Sequence, residues 1–331
     1  MGGFLAELLL LVFLVLCALY IVFSRKIYRV IIFFAVFSLI TSVIYLFLGA
    51  PDVAMAEAGI SAFTTIFFIV CLEKYYSRGK DGRNEATAPV PKVPLRVLLP
   101  AILFVSGLFA LFILYAPTGY PYTGLRDQYL RMFMRDVGGE NAVTAIYLGY
   151  RVYDTLFEAL LLVTAVVAVL HLSWYSEAAV PDGRHSELED SRMAKFTMRI
   201  VCPMILLFGM YLVLNGHISA GGGFLGGLAF ALILICRFFV VGIFDLPIKK
   251  ALKLEEIVFV FIVILPIFAI FTGVVYHFWG NSVLFQTIYL IAMNALVGLK
   301  VAFGFFVLFY RYVAVERLPE EDDTEDVKEA G

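Results

Sequence analysis

Nine stretches of about 20 almost uniformly apolar residues run through this chain. They are Phe4–Phe23, Ile27–Leu48, Val53–Leu72, Val97–Tyr115, Tyr153–Leu172, Thr197–Leu214, Gly221–Phe244, Ile257–Tyr276 and Val283–Tyr312. A hydrocarbon layer ~30 Å thick is crossed by ~20 helical residues, so each stretch is long enough to span it. Only helices and closed barrels satisfy their backbone groups in lipid. Barrel strands are alternating segments of about ten residues, which these are not. The expected fold is all-α: a polytopic integral membrane protein of about nine transmembrane helices. Of the 331 residues, 62% are apolar and 16% charged, with mean hydropathy +0.93. Those charges are too few to coat soluble domains of this size. Composition therefore excludes a disordered chain, a secreted disulfide scaffold and a nucleic-acid binder.

Lys and Arg placement sets the expected orientation. With the N-terminus outside and the C-terminus inside, 20 of the 25 basic residues fall on inner segments. The outer segments hold Arg126, Arg131, Arg135 and Arg151, and Lys300 is left within a span. Nine spans satisfy the positive-inside rule, and an error of one would scramble it. The first apolar run lacks a basic leader and is longer than a signal peptide's, so it reads as a retained span. Cys17, Cys71, Cys202 and Cys236 lie in apolar runs without CxxC spacing and read as small buried hydrophobes.

Two polar linkers divide the chain. Residues 1–78 form a three-helix unit and 79–96 the first linker, charged and rich in proline. Residues 97–172 form a two-helix unit, followed by a linker over 173–196. A four-helix unit covers 197–315, and 316–331 is an acidic tail. No internal repeat relates the units, which weighs against a carrier built from inverted repeats. Between Ala116 and Arg151, Leu125, Tyr129, Met132, Phe133 and Val137 recur at helical spacing among charges, predicting an extracytoplasmic amphipathic helix.

Ionisable residues at membrane depth need a reason to be there. Glu7, His171 and His277 lie near span ends and read as interfacial. Asp52 follows Pro51 as an ordinary helix start. Glu57 lies ~7.5 Å deeper, with Ser61 and Thr64 on its face at i+4 and i+7, a polar stripe that must meet protein or water. Asp154 and Glu158 share a face at i, i+4, and neighbouring carboxylates favour proton sharing or cation binding. His217 sits in GHISAGGGFLGGL, where Asn215–Gly216 stops one span and Ser219 is positioned to cap the next. Gly222/Gly226 and Gly223/Gly227 stand at GxxxG spacing, which permits close helix packing. Lys300 lies ~18 Å from the end of its span, beyond easy snorkelling, and is the strongest single pointer to ion movement. Pro266 is expected to kink the eighth span. Each of these residues also has a structural reading, as an ion pair or hydrogen bond that only holds helices together.

At these residues the chain resembles the Mrp-type multisubunit cation/proton antiporters. It equally resembles the sodium-translocating module of archaeal membrane-bound hydrogenase and sulfane-sulfur reductase complexes. GAPDVAMAEAG (Gly49–Gly59) and YRVYDTLFEA (Tyr150–Ala159) look like two small units at the end of the antiporter's A subunit. GHISAGGGFLGGL (Gly216–Leu228) and the Lys300 span look like the B subunit. The resemblance implies a subunit of an ion-translocating module in the cell membrane. Glu57, Asp154, Glu158, His217 and Lys300 would be its ion-path residues, with Asp52, Ser61 and Thr64 secondary. It implies other membrane subunits as partners and sodium as an ion carried. No catalytic residue, cofactor or metal ligand is expected in the chain. The detached, fused units favour a redox-driven respiratory complex. The alternatives are a subunit of a free-standing exchanger and a structural scaffold without an ion path.

Overall fold

The computed structural model describes residues 2–24, 26–76, 123–172, 192–241, 248–272 and 283–313, with isolated helical positions between 100 and 114. The elements are α1 (Gly2–Phe23), α2 (Ile27–Phe47), α3 (Pro51–Tyr76), α4 (Thr123–Asp136) and α5 (Ala142–Ala145). A π turn over Ile146–Tyr150 leads into α6 (Val152–Leu172), followed by α7 (Arg192–Asn215), α8 (Gly223–Val241), α9 (Ile248–Phe271) and α10 (Val283–Val313). All regular structure among the described residues is helical. Seven of these helices are long and apolar enough to cross a membrane, and α8 adds a shorter apolar stretch, Gly223–Cys236. These account for eight of the expected spans. The span at 97–115 apart from those isolated positions, both linkers in large part, His277 and the acidic tail lie outside the described residues.

One boundary differs from expectation in a way that matters. The eighth span was expected to begin at Ile257, but α9 begins at Ile248 and continues through Pro266. Its buried residues Ala251, Glu255, Val258, Ile262 and Ala269 follow a helical stripe. The stretch IKKALKLEE therefore belongs to the helix and carries Glu255 inward.

α10 is the central post of the bundle and the most buried span; α1 is the least buried. α8 and α9 pack along α10, with α3, α6 and α7 also against it. Lipid tails are as apolar as leucine, so close van der Waals fit rather than water exclusion holds such helices together. The α8–α10 seam shows that fit. A Cβ on Gly223 would overlap the Asn294 carbonyl, and one on Gly227 would lie 2.5 Å from the Gly298 carbonyl. The opposite side of α8 meets α7, where a Cβ on Gly226 would lie 2.9 Å from the Gly209 carbonyl. Further along the bundle, α3 joins through Phe63, edge-on to Phe305 at 4.7 Å between centroids. α4 packs back through Tyr129, stacked on Tyr150 at 4.5 Å, while Leu125 and Met132 remain exposed.

Candidate functional site

Polar side chains gather at two places along the bundle. The first is a junction where α3, the α5 turn and the α7–α8 loop meet. Asn141 is its hub. Its Oδ1 caps α5 by accepting from Val143 N (2.9 Å) and Thr144 N (3.4 Å). Its Nδ2 donates to Asp52 Oδ1 (3.2 Å), Gly216 O (3.3 Å) and Ser219 O (2.9 Å). Asp52 Oδ1 also accepts from Gly221 N at 3.1 Å. Asp52 thus does more than start α3: it pins that helix to the glycine loop 169 positions away in sequence.

The start of α8 is held in a way that corrects the expectation for Ser219. Its hydroxyl donates back to Asn215 O (3.3 Å). The amide of Gly223 is accepted instead by Asn294 Oδ1 on α10 (2.9 Å). Tyr147 OH donates to the same oxygen (2.9 Å). Burial pushes the Tyr147 phenol up to about 12, so it is a donor at any physiological pH. Gly221 and Gly222 both have positive φ (152° and 120°), and a Cβ at Gly222 would overlap the Tyr147 hydroxyl. Only glycine lets the loop pass this close.

His217 lies within this junction and is buried. Its carbonyl accepts from Glu140 N (2.8 Å) and Asn141 N (2.9 Å), while its ring Nδ1 is buried without a hydrogen-bond partner. Glu57 lies further along α3 and is half-buried; Ser38 of α2 donates to its Oε1 at 2.5 Å. Ser61 is buried one turn on, and the Thr64 hydroxyl bonds back to Ile60 O at 2.9 Å. Asp154 and Glu158 both lie on the exposed face of α6. Asp154 pairs with Arg151 at 2.5 Å, not with Glu158.

The second place is charged. Lys300 is 1% exposed and forms an ion pair with Glu255 of α9, itself 3% exposed. The ammonium also lies 5.1 Å from the Phe259 ring centroid, within cation–π range. α9 and α10 therefore bury both members of a pair between them. Sequence reasoning found Lys300 and missed Glu255, Asn141, Tyr147 and Asn294. The six expected ionisable residues do not form one cluster: Asp52 and His217 meet at the junction, while Glu57, Lys300 and the α6 carboxylates stand apart.

Two family models match the N-terminal and C-terminal parts of the chain. Residues 12–76, most of α1 through α3, match the MbhD family, described as the D subunit of MBH. Residues 193–315, covering α7 to α10, match the MnhB family, described as a domain related to the MnhB subunit of Na+/H+ antiporter. Together these matches support an Mrp-type module. Curated relatives of the chain include the putative antiporter subunit mnhA2 of Staphylococcus aureus strains JH9 and JH1. Each is 26% identical over 178 residues, which is 54% of this chain and 21% of the relative. The chain thus spans about a fifth of the length of the curated relatives it matches. In fold it resembles a chain of the Mrp complex from Dietzia sp. DQ12-45-1b, with TM-score 0.71 and 19% identity over 95% of this chain and 35% of that one. It also resembles a chain of the membrane-bound sulfane sulfur reductase, an archaeal respiratory membrane complex. There the TM-score is 0.56 and the identity 26%, over 67% of this chain and 99% of that one.

Proposed function

We propose that this chain is a membrane subunit of the ion-translocating, Na+/H+ antiporter-like module of a redox-driven respiratory complex. In this reading its buried charged residues contribute to a proton or sodium path. The observation that carries it is the Lys300–Glu255 pair, buried between two membrane-length helices. Two opposite charges taken out of water suffer a desolvation penalty that their attraction only partly offsets, so adhesion alone does not favour them there. A charge pair whose partners separate when a proton or cation arrives does explain them. Protonation of Glu255 removes the counter-charge of Lys300, and the freed ammonium then repels a cation or sheds its own proton.

Glu57, Asp154, Glu158 and His217 border the rest of the path in this reading, with Asp52, Ser61 and Thr64 as secondary polar contacts. The unpartnered Nδ1 of His217 supports a role in accepting a proton near the glycine loop. In this reading the chain lies in the cell membrane with its N-terminus outside and its C-terminus inside, an orientation that the placement of its basic residues supports. Its partners are other membrane subunits of the same complex. The MbhD match and the likeness to the sulfane sulfur reductase chain favour a redox-driven parent. The mnhA2 relatives favour the second reading, a free-standing exchanger.

The test replaces Lys300→Ala and Glu158→Gln in the assembled complex and follows sodium-dependent proton flux in inverted vesicles. Loss of flux in recovered complex is expected. Wild-type flux in both variants would defeat the path. Co-purification separates the two parents: iron–sulfur subunits identify the redox complex, antiporter chains alone the exchanger.

A further inference from the structure

Glu158 is a carboxylate that faces outward from a membrane-length helix with no partner among the described residues. It lies six residues, about 9 Å, inside α6. It is exposed, and no hydrogen bond or ion pair reaches it among those residues, whereas Asp154 already has Arg151. Glu256 of α9 also faces outward, but Lys249, Lys250 and Lys253 stand within two turns of it in sequence. A carboxylate at the depth of Glu158 is far too costly to leave against lipid, so protein must cover it. Among the described residues no basic side chain pairs with Glu158: Lys300 is committed to Glu255, and the apolar stretch 97–115 holds Ser106 but no charged residue in sequence. Beyond Glu158 the same face continues through Leu161 to Ala165 and Ala168, with Thr164 beside it. The Thr164 hydroxyl is tied back to Leu160 O at 2.9 Å. These short side chains let another helix approach closely.

We infer that this face of α6 docks a transmembrane helix of another subunit, one that brings a lysine or arginine to Glu158. The inference rests on the membrane-subunit reading above but does not need the ion path.

The test uses the whole complex in native membranes, with photoreactive benzoylphenylalanine replacing Leu161 or Ala165. The expected product is a cross-link to a span of another subunit that carries a basic residue level with Glu158. Glu158→Lys is expected to lower recovered complex at least about tenfold, as like charges repel across an interface. Reversing the partner's basic residue to Glu is then expected to restore recovery. Cross-links to lipid alone, to residues 97–115, or to a span without a basic residue at that level would overturn the inference, as would failure of the reversal. Glu158→Gln separates the two claims. Unchanged flux with the cross-link intact removes Glu158 from the path and leaves the docking face standing.

Discussion

The buried pair between α9 and α10 gives a prediction that separates transport from adhesion. Removing one partner, by Glu255→Gln or Lys300→Met, leaves the other charge uncompensated at 1–3% exposure. Breaking a buried pair in this way costs about 3–5 kcal/mol. At 1.4 kcal/mol per factor of ten, each single variant should lower the folded-to-unfolded ratio about a hundredfold or more. Replacing both residues together removes both desolvation penalties, and such exchanges range from neutral to about 1–4 kcal/mol stabilising. Methionine at 300 also keeps a favourable sulfur contact with Phe259, whose ring now lies 5.1 Å from the ammonium. The assay is recovery of assembled complex by size exclusion after graded heating, alongside sodium-dependent proton flux. The expectation is two unstable single variants and a double variant as heat-resistant as wild type that carries no flux. A double variant pumping at the wild-type rate would show the pair to be adhesive only. Single variants as stable as wild type would refute the burial argument itself.

Three further outcomes follow from the packing and the junction. Gly223→Ala and Gly227→Ala force α8 from α10, because the added Cβ meets the Asn294 and Gly298 carbonyls; each should cost about 1–3 kcal/mol in thermal unfolding. Gly124→Ala, where nothing lies within 4 Å, is the neutral control. Asn141→Ala should cost about 2–3 kcal/mol from the lost cap and donors, and Asn141→Asp more, since it keeps the cap but sets a second carboxylate against Asp52. Tyr147→Phe should cost about 0.5–1.5 kcal/mol. With the phenol raised by burial from 10.0 to about 12, its contribution is full below pH 10 and lost only as pH climbs through about 12. A melting difference between wild type and Tyr147→Phe that changes from pH 6 to 9 would contradict that account.

The helices were legible because lipid imposes one rule on every span: about 20 apolar residues with internal hydrogen bonds. Lys300 was legible for the same reason, as a charge too deep to reach the interface. Glu255 was not, because hydropathy ends a span where charges begin, and IKKALKLEE is charged. The signal that could have found it is periodicity: Ala251, Glu255, Val258 and Ile262 fall on one stripe, so the glutamate shares the apolar face. Asn294 carries the same signature, one turn from the buried Leu290 on α10. The junction was hidden for another reason. Asp52, Asn141 and Gly221 are joined across 89 and 169 positions, and their bonds run largely to backbone groups that no side-chain motif records.

The two polar places solve burial differently, and the contrast bears on which of them the proposed ion path would use. At the junction, Asn141 and Thr144 donate to carbonyls of the α7–α8 loop, with Thr144 Oγ1 at 2.5 Å from Gly216 O. Tyr147 and the Gly223 amide share one amide oxygen. Most of these groups are neutral, each bond satisfies a donor that burial would otherwise penalise, and the glycine seams beside them close the helices to backbone contact. That arrangement joins α3, the π turn, α8 and α10 without a buried ion pair. The same chain therefore already holds its helices together with neutral groups and small residues. Placing a full charge on α10 and its opposite on α9 adds little adhesion for a large desolvation cost. A lysine and a glutamate that must be able to change partners or protonation state have to be charged. An asparagine and a tyrosine would have served a fixed contact as well, and α10 carries just such a contact less than two turns away at Asn294.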